Sequence, residues 1–268
     1  MTSMIYNSAG NIELTRAQLA GLHTPPPMGA FHQPYSFEEF VETIHHGLDQ
    51  SGIKVVGEEY VTAYEGMRLF GALELELPAI EGEYIPAEGH SVHTSTMGRD
   101  HKIVLGLRGS HDQSITRGLA LGSQVFVCSN LCFSGNLGNI STKQTLNIGS
   151  RLPGLIRSAI ELIPQEAEKN VIRFDRYRNT DLRSDIGDSM LVEIFRRGGL
   201  SAPQLGKAAL EWKSPKHEEH AEQGFTAWRL FNACTEAVKP GGANSNPMII
   251  EERTGHISSY MDECVGLH

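Results

Sequence analysis

Cysteine is scarce. Cys128, Cys132, Cys234 and Cys264 are the only four in 268 residues, and their scatter excludes a disulfide framework and fits a reducing compartment. Cations are outnumbered, with 23 Lys and Arg against 32 Asp and Glu and a formal charge of −9. That balance disfavours broad, sequence-independent binding along nucleic-acid phosphates, though not a local basic groove. No run approaches the roughly 20 apolar residues that cross a bilayer, so no membrane partner is expected. The opening stretch MTSMIYNSAGNIELTRAQ lacks the basic region and greasy run of an export signal, and a cytoplasmic location is the expectation. Also missing are the H-E-x-x-H of a metalloprotease helix, the G-x-S-x-G elbow of a hydrolase and the phosphate-binding glycine loop. The dinucleotide fingerprint is absent too, despite 28 glycines.

What is present is ordinary for a folded chain. Hydrophobic residues make up 40% and charged residues 21%, enough apolar side chain to pack a core. Residues 1–36 read as an N-terminal arm hinged at HTPPPMGAFHQPYS, because three consecutive prolines suit neither a helix nor a central strand. Ser36 is placed to cap a helix over FEEFVETIHHGL, with an acidic first turn facing the helix dipole. From Lys54 the period changes to two. Met67, Leu69, Leu73, Leu75 and Leu77 alternate with Arg68, Glu74 and Glu76, the pattern of a half-buried strand, and KVVGEEYVTAY reads as its hairpin partner across Glu65-Gly66. HKIVLGLR and SQVFVCSN extend this to an antiparallel sheet of about four to six strands.

The second half has helical spacing. Leu152, Leu155, Ile156, Ala159, Ile163 and Ala167 form one apolar stripe, and further stripes centre on Met190, Trp212 and Phe231. Strands followed by helices indicate an α+β fold, an antiparallel sheet from the first half covered by helices from the second. The expected organisation is an arm at 1–36, a single α+β domain at 37–239 and a less ordered C-terminal tail at 240–268.

Three groups of residues invite a chemical reading. Ser110, His111 and Asp112 spell the letters of a hydrolase triad, but adjacent residues project in different directions. A turn between strands, with Ser110 and Asp112 bonding to nearby amides, is the simpler account. His90, His93, His101 and His111 are nitrogen donors gathered around one expected strand, and zinc is the cofactor such a set would hold. Their spacing is not that of a helical metal site, and the C-x3-C of Cys128 and Cys132 has no second pair, so no cofactor is expected by default. Arg173, Arg176 and Arg178 are interleaved with Phe174 and Tyr177, the combination that grips phosphates and stacks bases of single-stranded nucleic acid. Ion pairs to Asp175 and Asp181 are the plainer alternative.

Three segments, RGSHDQS at 108–114, VFVCSNLCFSG at 125–135 and AWRLFNACTEAV at 227–238, occur in an order and spacing that resemble the phage- and plasmid-borne proteins called domain of unknown function 932. The likeness spans about residues 55–240. Ser110, His111, Asp112, Cys128, Asn130, Asn232 and Thr235 fall on its motif positions. The resemblance implies a mobile-element protein acting in replication, recombination or host defence, with no activity attached. Short polar side chains between apolar runs suit a buried hydrogen-bond network joining sheet to helix, with a shared ligand pocket as the sharper reading. The leading expectation is thus a binding protein that contacts nucleic acid or a DNA-processing protein, not an enzyme. A metal-dependent enzyme using His90 to His111 and an anti-defence protein that binds a host protein through its acidic surface are the alternatives. Self-association is left open by the sequence.

Overall fold

The computed structural model describes residues 11–78, 101–125, 131–136, 144–222, 224–239 and 247–267. Six strands, β1 (Ile12–Leu14), β2 (Lys54–Ala63), β3 (Arg68–Glu76), β4 (His101–Ser110), β5 (Gly118–Val125) and β6 (Leu131–Asn136), lie in chain order as one antiparallel sheet. Helices α1 (Arg16–Leu19) and α2 (Phe37–Gln50) come before β2. Helices α3 (Ile148–Arg178), α4 (Ser184–Arg196), α5 (Ala202–Lys213), α6 (Glu218–Glu222), α7 (Ala227–Val238) and α8 (Pro247–Val265) follow the sheet. The architecture is α+β, as the patterning predicts. Among the described residues no helix is long and apolar enough to cross a membrane.

Local chemistry sets the element ends. Ser36 caps α2, its hydroxyl accepting from the Glu39 amide at 3.0 Å while the Glu39 carboxylate accepts back from the Ser36 amide at 3.2 Å. The β2–β3 hairpin turns through Tyr64, Glu65 and Gly66, all at positive φ, between the paired residues Ala63 and Arg68. Glycine at the third of these positions carries its φ of 83° without the Cβ clash that burdens its two neighbours.

Two cores share one long helix. Leu69, Leu73, Leu105, Leu107, Leu119 and Leu121 occupy one face of the sheet. They meet Phe40, Val41 and Ile44 of α2 and Leu152, Ile156 and Ile163 of α3. Past Ala167, the same helix enters a second core, where Phe174 and Tyr177 pack with Met190 of α4, Trp212 of α5, Phe231 of α7 and Met261 of α8. The cover of the sheet's first face therefore comes from α2 as much as from the second half, and α4, α5 and α7 build a helical core of their own.

Three expectations change. The strand β3 is not half-buried: Phe70 and Ala72, on the opposite face, are also buried. Glu251 of α8 pairs with Arg108 on that face, and α8 packs against β6, so the C-terminal helix supplies cover there. The stretch expected as a loose tail accordingly holds α8, with Ile257 and Met261 fully buried, because it completes an apolar surface its predecessors leave open. The arm is anchored too. Strand β1 extends the sheet and Leu19 enters the first core, while the segment after the prolines is tied down by the Gln33 amide donating to the Gln144 carbonyl at 3.1 Å.

Candidate ligand-binding site

Strand β1 is short because Thr15 caps α1, its amide donating to the Gln18 side chain at 2.8 Å, and the chain leaves the sheet after Leu14. Its partner β2 continues, paired on its other side with β3. At this step lies a cavity of about 290 Å3, lined by Glu13, Leu14, Thr15, Arg16, Glu58, Glu59, Tyr60 and Val61. That volume sits at the small end of ligand cavities, roughly 300–1,000 Å3.

A hydrogen-bonded network backs it. The Tyr60 hydroxyl donates to Glu58 Oε2 at 3.1 Å, and His45 Nε2, reaching over from α2, lies 3.1 Å from both the Tyr60 oxygen and Glu58 Oε2. On the other side of the ring Arg16 Nη1 stands 3.2 Å from His45 Nδ1. Arginine only donates, so Nδ1 is an acceptor and the proton of neutral His45 sits on Nε2, aimed at Glu58 and Tyr60. Burial, and next the Arg16 cation, push His45 below its usual range, against the pull of Glu58, Glu42 and Asp49. Burial and then Glu58 drive the Tyr60 hydroxyl upward, so it stays protonated. Arg16 is itself clamped by Glu42 through Nε at 2.9 Å and Nη2 at 2.8 Å, a bond that raises the arginine and lowers the carboxylate. The wall thus presents carboxylates and a fixed phenol, with one guanidinium already neutralised and an uncharged imidazole. It suits a cation.

The residues singled out in the sequence lie elsewhere. Ser110, His111 and Asp112 form a turn closing β4. Ser110 Oγ accepts from the Ile115 amide at 3.0 Å, and Asp112 Oδ1 accepts from the Ser114 amide at 2.9 Å. Neither ring nitrogen of His111 bonds to Ser110 or Asp112, so the three do not operate as a triad. Burial raises the Asp112 carboxyl, but the Ser114 hydroxyl and amide, Ser110 and Arg68 outweigh it and bring it down to about 2. A carboxyl held below its ordinary 3.8 stabilises the fold above that value and loses the effect as pH falls towards 2. The expected loss is about 2 kcal/mol across that window, with Asp112→Asn flattening it. Urea melts at stepped pH check this, and equal slopes in parent and variant would refute it.

Asn232 and Thr235 lie on α7 in the second core, donating to the Trp228 carbonyl at 2.9 Å and the Asn232 carbonyl at 3.1 Å. The bonds described for them stay inside that helix, each helical hydroxyl or amide having a backbone acceptor within its own turn. Cys128, Asn130, His90 and His93 lie outside the described residues, and of His101 only its place opening β4 is described. Among the described residues no three His, Cys, Asp or Glu side chains converge on a metal position, and His111 stands in the field of the Arg117 cation, which opposes a second cation.

The arginine–aromatic stretch is the last turns of α3, and here the expectation for Tyr177 is corrected. Tyr177 is fully buried and its hydroxyl donates to Asp262 Oδ1 at 2.7 Å, so its ring cannot stack on a base while this packing holds. Arg173 donates from Nε to both oxygens of Asp262, at 2.9 and 3.0 Å. The Arg178 guanidinium lies 4.5 Å from the Trp228 ring centroid, and Arg176 is half-buried in the helix's last turn. Spacing i, i+3 for Phe174 and Tyr177 was the signal that both face one core. For Arg16, His45, Glu58 and Tyr60 the only local hint was the i, i+2 pair in β2, which shares a face. No family model matches the chain, and no curated protein or solved structure is significantly similar to it.

Proposed function

We propose that the chain is a binding protein for a small organic cation carrying a primary ammonium group. One observation carries the reading: the cavity at the end of β1 has the Glu58 carboxylate on its wall, its Oε2 accepting from the Tyr60 hydroxyl and lying 3.1 Å from His45 Nε2. An ammonium supplies both the charge and the protons, while Leu14 and Val61 offer apolar contact to a short carbon chain. The reading keeps the binding role expected from the sequence and moves it from Arg173, Arg176 and Arg178, beside the second core, to the cavity at β1 and β2. A mobile-element origin, implied by the motif resemblance, stays a proposal independent of this ligand.

Isothermal titration with 1,4-diaminobutane is expected to show saturable binding, and 1,4-butanediol, which has the same length without charge, none. Glu58→Gln removes a charged acceptor and is expected to weaken the diamine by about 10- to 100-fold, the equivalent of about 1.5–3 kcal/mol. Equal heats from diamine and diol, or an unchanged affinity in the variant, reject the reading.

A further inference from the structure

Arg117, at the entry to β5, is only 1% exposed. Its guanidinium is enclosed by the rings of Tyr35, Phe37 and Phe40, with centroids 5.6, 5.2 and 4.9 Å away. One nitrogen, Nη2, donates to the Tyr35 carbonyl; Nε and Nη1 have no partner. Among the described residues no carboxylate is bonded to it. The nearest acid in effect, Glu39, accepts from the Ser36 hydroxyl and amide at the cap of α2.

Two histidines share this environment. His111 is 1% exposed, its ring 4.0 Å from that of Phe37, and neither of its nitrogens makes a well-formed hydrogen bond, although the Gln144 side chain stands close enough to act on it. Burial and then the Arg117 cation push it down to about 4, against an upward pull from the Gln144 side chain, so it is neutral at pH 7 and carries one ring N–H. His32, also buried, accepts the Met28 amide on Nδ1 at 2.9 Å, which places its proton on Nε2, again without a partner. His111 and Arg117 both pack on the Phe37 ring, and His32 adjoins Gln33, whose amide bonds to Gln144, the residue that donates to the Ser110 carbonyl beside His111, so the backbone and ring contacts gather the three.

Every vacant position with a defined role is a donor: Arg117 Nε and Nη1 and His32 Nε2. Burial of an unpaired cation is strongly unfavourable, and each unmet donor adds to the cost. A metal ion would add charge of the wrong sign. Water would supply an acceptor but leave the charge uncompensated. An oxyanion supplies both, and guanidinium geometry matches two oxygens of one carboxylate or phosphate.

We propose that Arg117, His111 and His32 form a buried receptor for one small oxyanion, distinct from the cation cavity and independent of it. The cover is the segment after the prolines, which carries His32. It is held by the Gln33 amide on the Gln144 carbonyl and the Tyr35 amide on Gln144 Oε1 at 2.9 Å, and Gln144 in turn donates to the Ser110 carbonyl. This gives the Ser110-His111-Asp112 turn a role: it positions His111 at the receptor and presents the carbonyl on which the cover's anchor rests. These are positioning duties and involve no bond-making.

The test is thermal unfolding and isothermal titration of the full chain with potassium formate and potassium phosphate, against potassium chloride at equal ionic strength. A saturable rise in melting temperature with formate or phosphate, absent in chloride, is expected, and the anion that gives it identifies carboxylate or phosphate as the class. Arg117→Met fills the same space without charge. It is expected to melt at or above the parent temperature in chloride, since an unpaired buried charge is gone, and to lose the anion response. His32→Phe, which deletes one donor at the cover, is expected to weaken the anion about tenfold and keeps the test decisive should the methionine variant fail to fold. No response to either anion in the parent, or a full response in Arg117→Met or His32→Phe, overturns the proposal.

Discussion

Replacing Trp212 by alanine is expected to destabilise the protein by about 3–5 kcal/mol, the range for emptying a large aromatic site. Total stabilities are about 5–15 kcal/mol, so much of the folded population is at stake. Trp212 is fully buried and is the largest such side chain. Two other helices and the segment before α7 meet on it. Its Nε1 donates to the Ser184 carbonyl at 3.3 Å at the start of α4, and its ring meets Phe225 edge-on at 4.8 Å. Arg229 of α7 donates from Nε to the Trp212 carbonyl at 3.0 Å. The α4 backbone approaches so closely that a Cβ on Gly187 would lie 2.2 Å from Trp212 Cζ2. Gly187→Ala therefore forces the indole or α4 to move, and is expected to cost about 1–3 kcal/mol from the opposite direction, by overfilling. Urea unfolding followed by near-ultraviolet circular dichroism reads both. A loss under 1 kcal/mol for the tryptophan variant would show that the helical core does not depend on this contact.

The second large effect is expected at Asp262. Its carboxylate takes both bonds from Arg173 Nε and one from the Tyr177 hydroxyl, and the pair is 17% exposed on each side. Asp262→Ala removes the carboxylate that compensates the Arg173 charge between α3 and α8, leaving Arg173 its bond to Asn170 Oδ1 and Tyr177 its bond to the Ser258 carbonyl, with an expected cost of about 3 kcal/mol, the lower end for breaking a buried pair. Asp262→Asn keeps an acceptor for Tyr177 and is expected to lose less. Removing Arg173 as well, in Arg173→Met/Asp262→Ala, is expected to recover part of the loss, because the penalty comes mainly from the orphaned cation. Chemical denaturation of the single and double variants measures the coupling; additive losses would mean that the pair is incidental.

Local pattern was enough for much of this protein. The alternation around Leu69 to Leu75 located β3, the Ser36–Glu39 pair located the start of α2, and the stripe from Leu152 to Ala167 located the first half of α3, because each depends on residues within a turn or two of one another. The order of strands before helices then pointed to α+β. Tertiary structure alone decided which faces are covered. Nothing in the composition of residues 247–265 announces that they close the second core, since a helix stripe does not name its partner. The same holds for function. Arg16, His45, Glu58 and Tyr60 come from α1, α2 and β2, and only strand pairing and helix docking bring them within hydrogen-bond distance. Arg117 looks like any surface arginine in the chain, yet it is sealed behind three aromatic rings. Its burial is set by where α2 and the segment after the prolines land on the sheet. Spacing along a chain encodes the face a side chain occupies, whereas the dielectric and partners it finds there depend on elements many residues away.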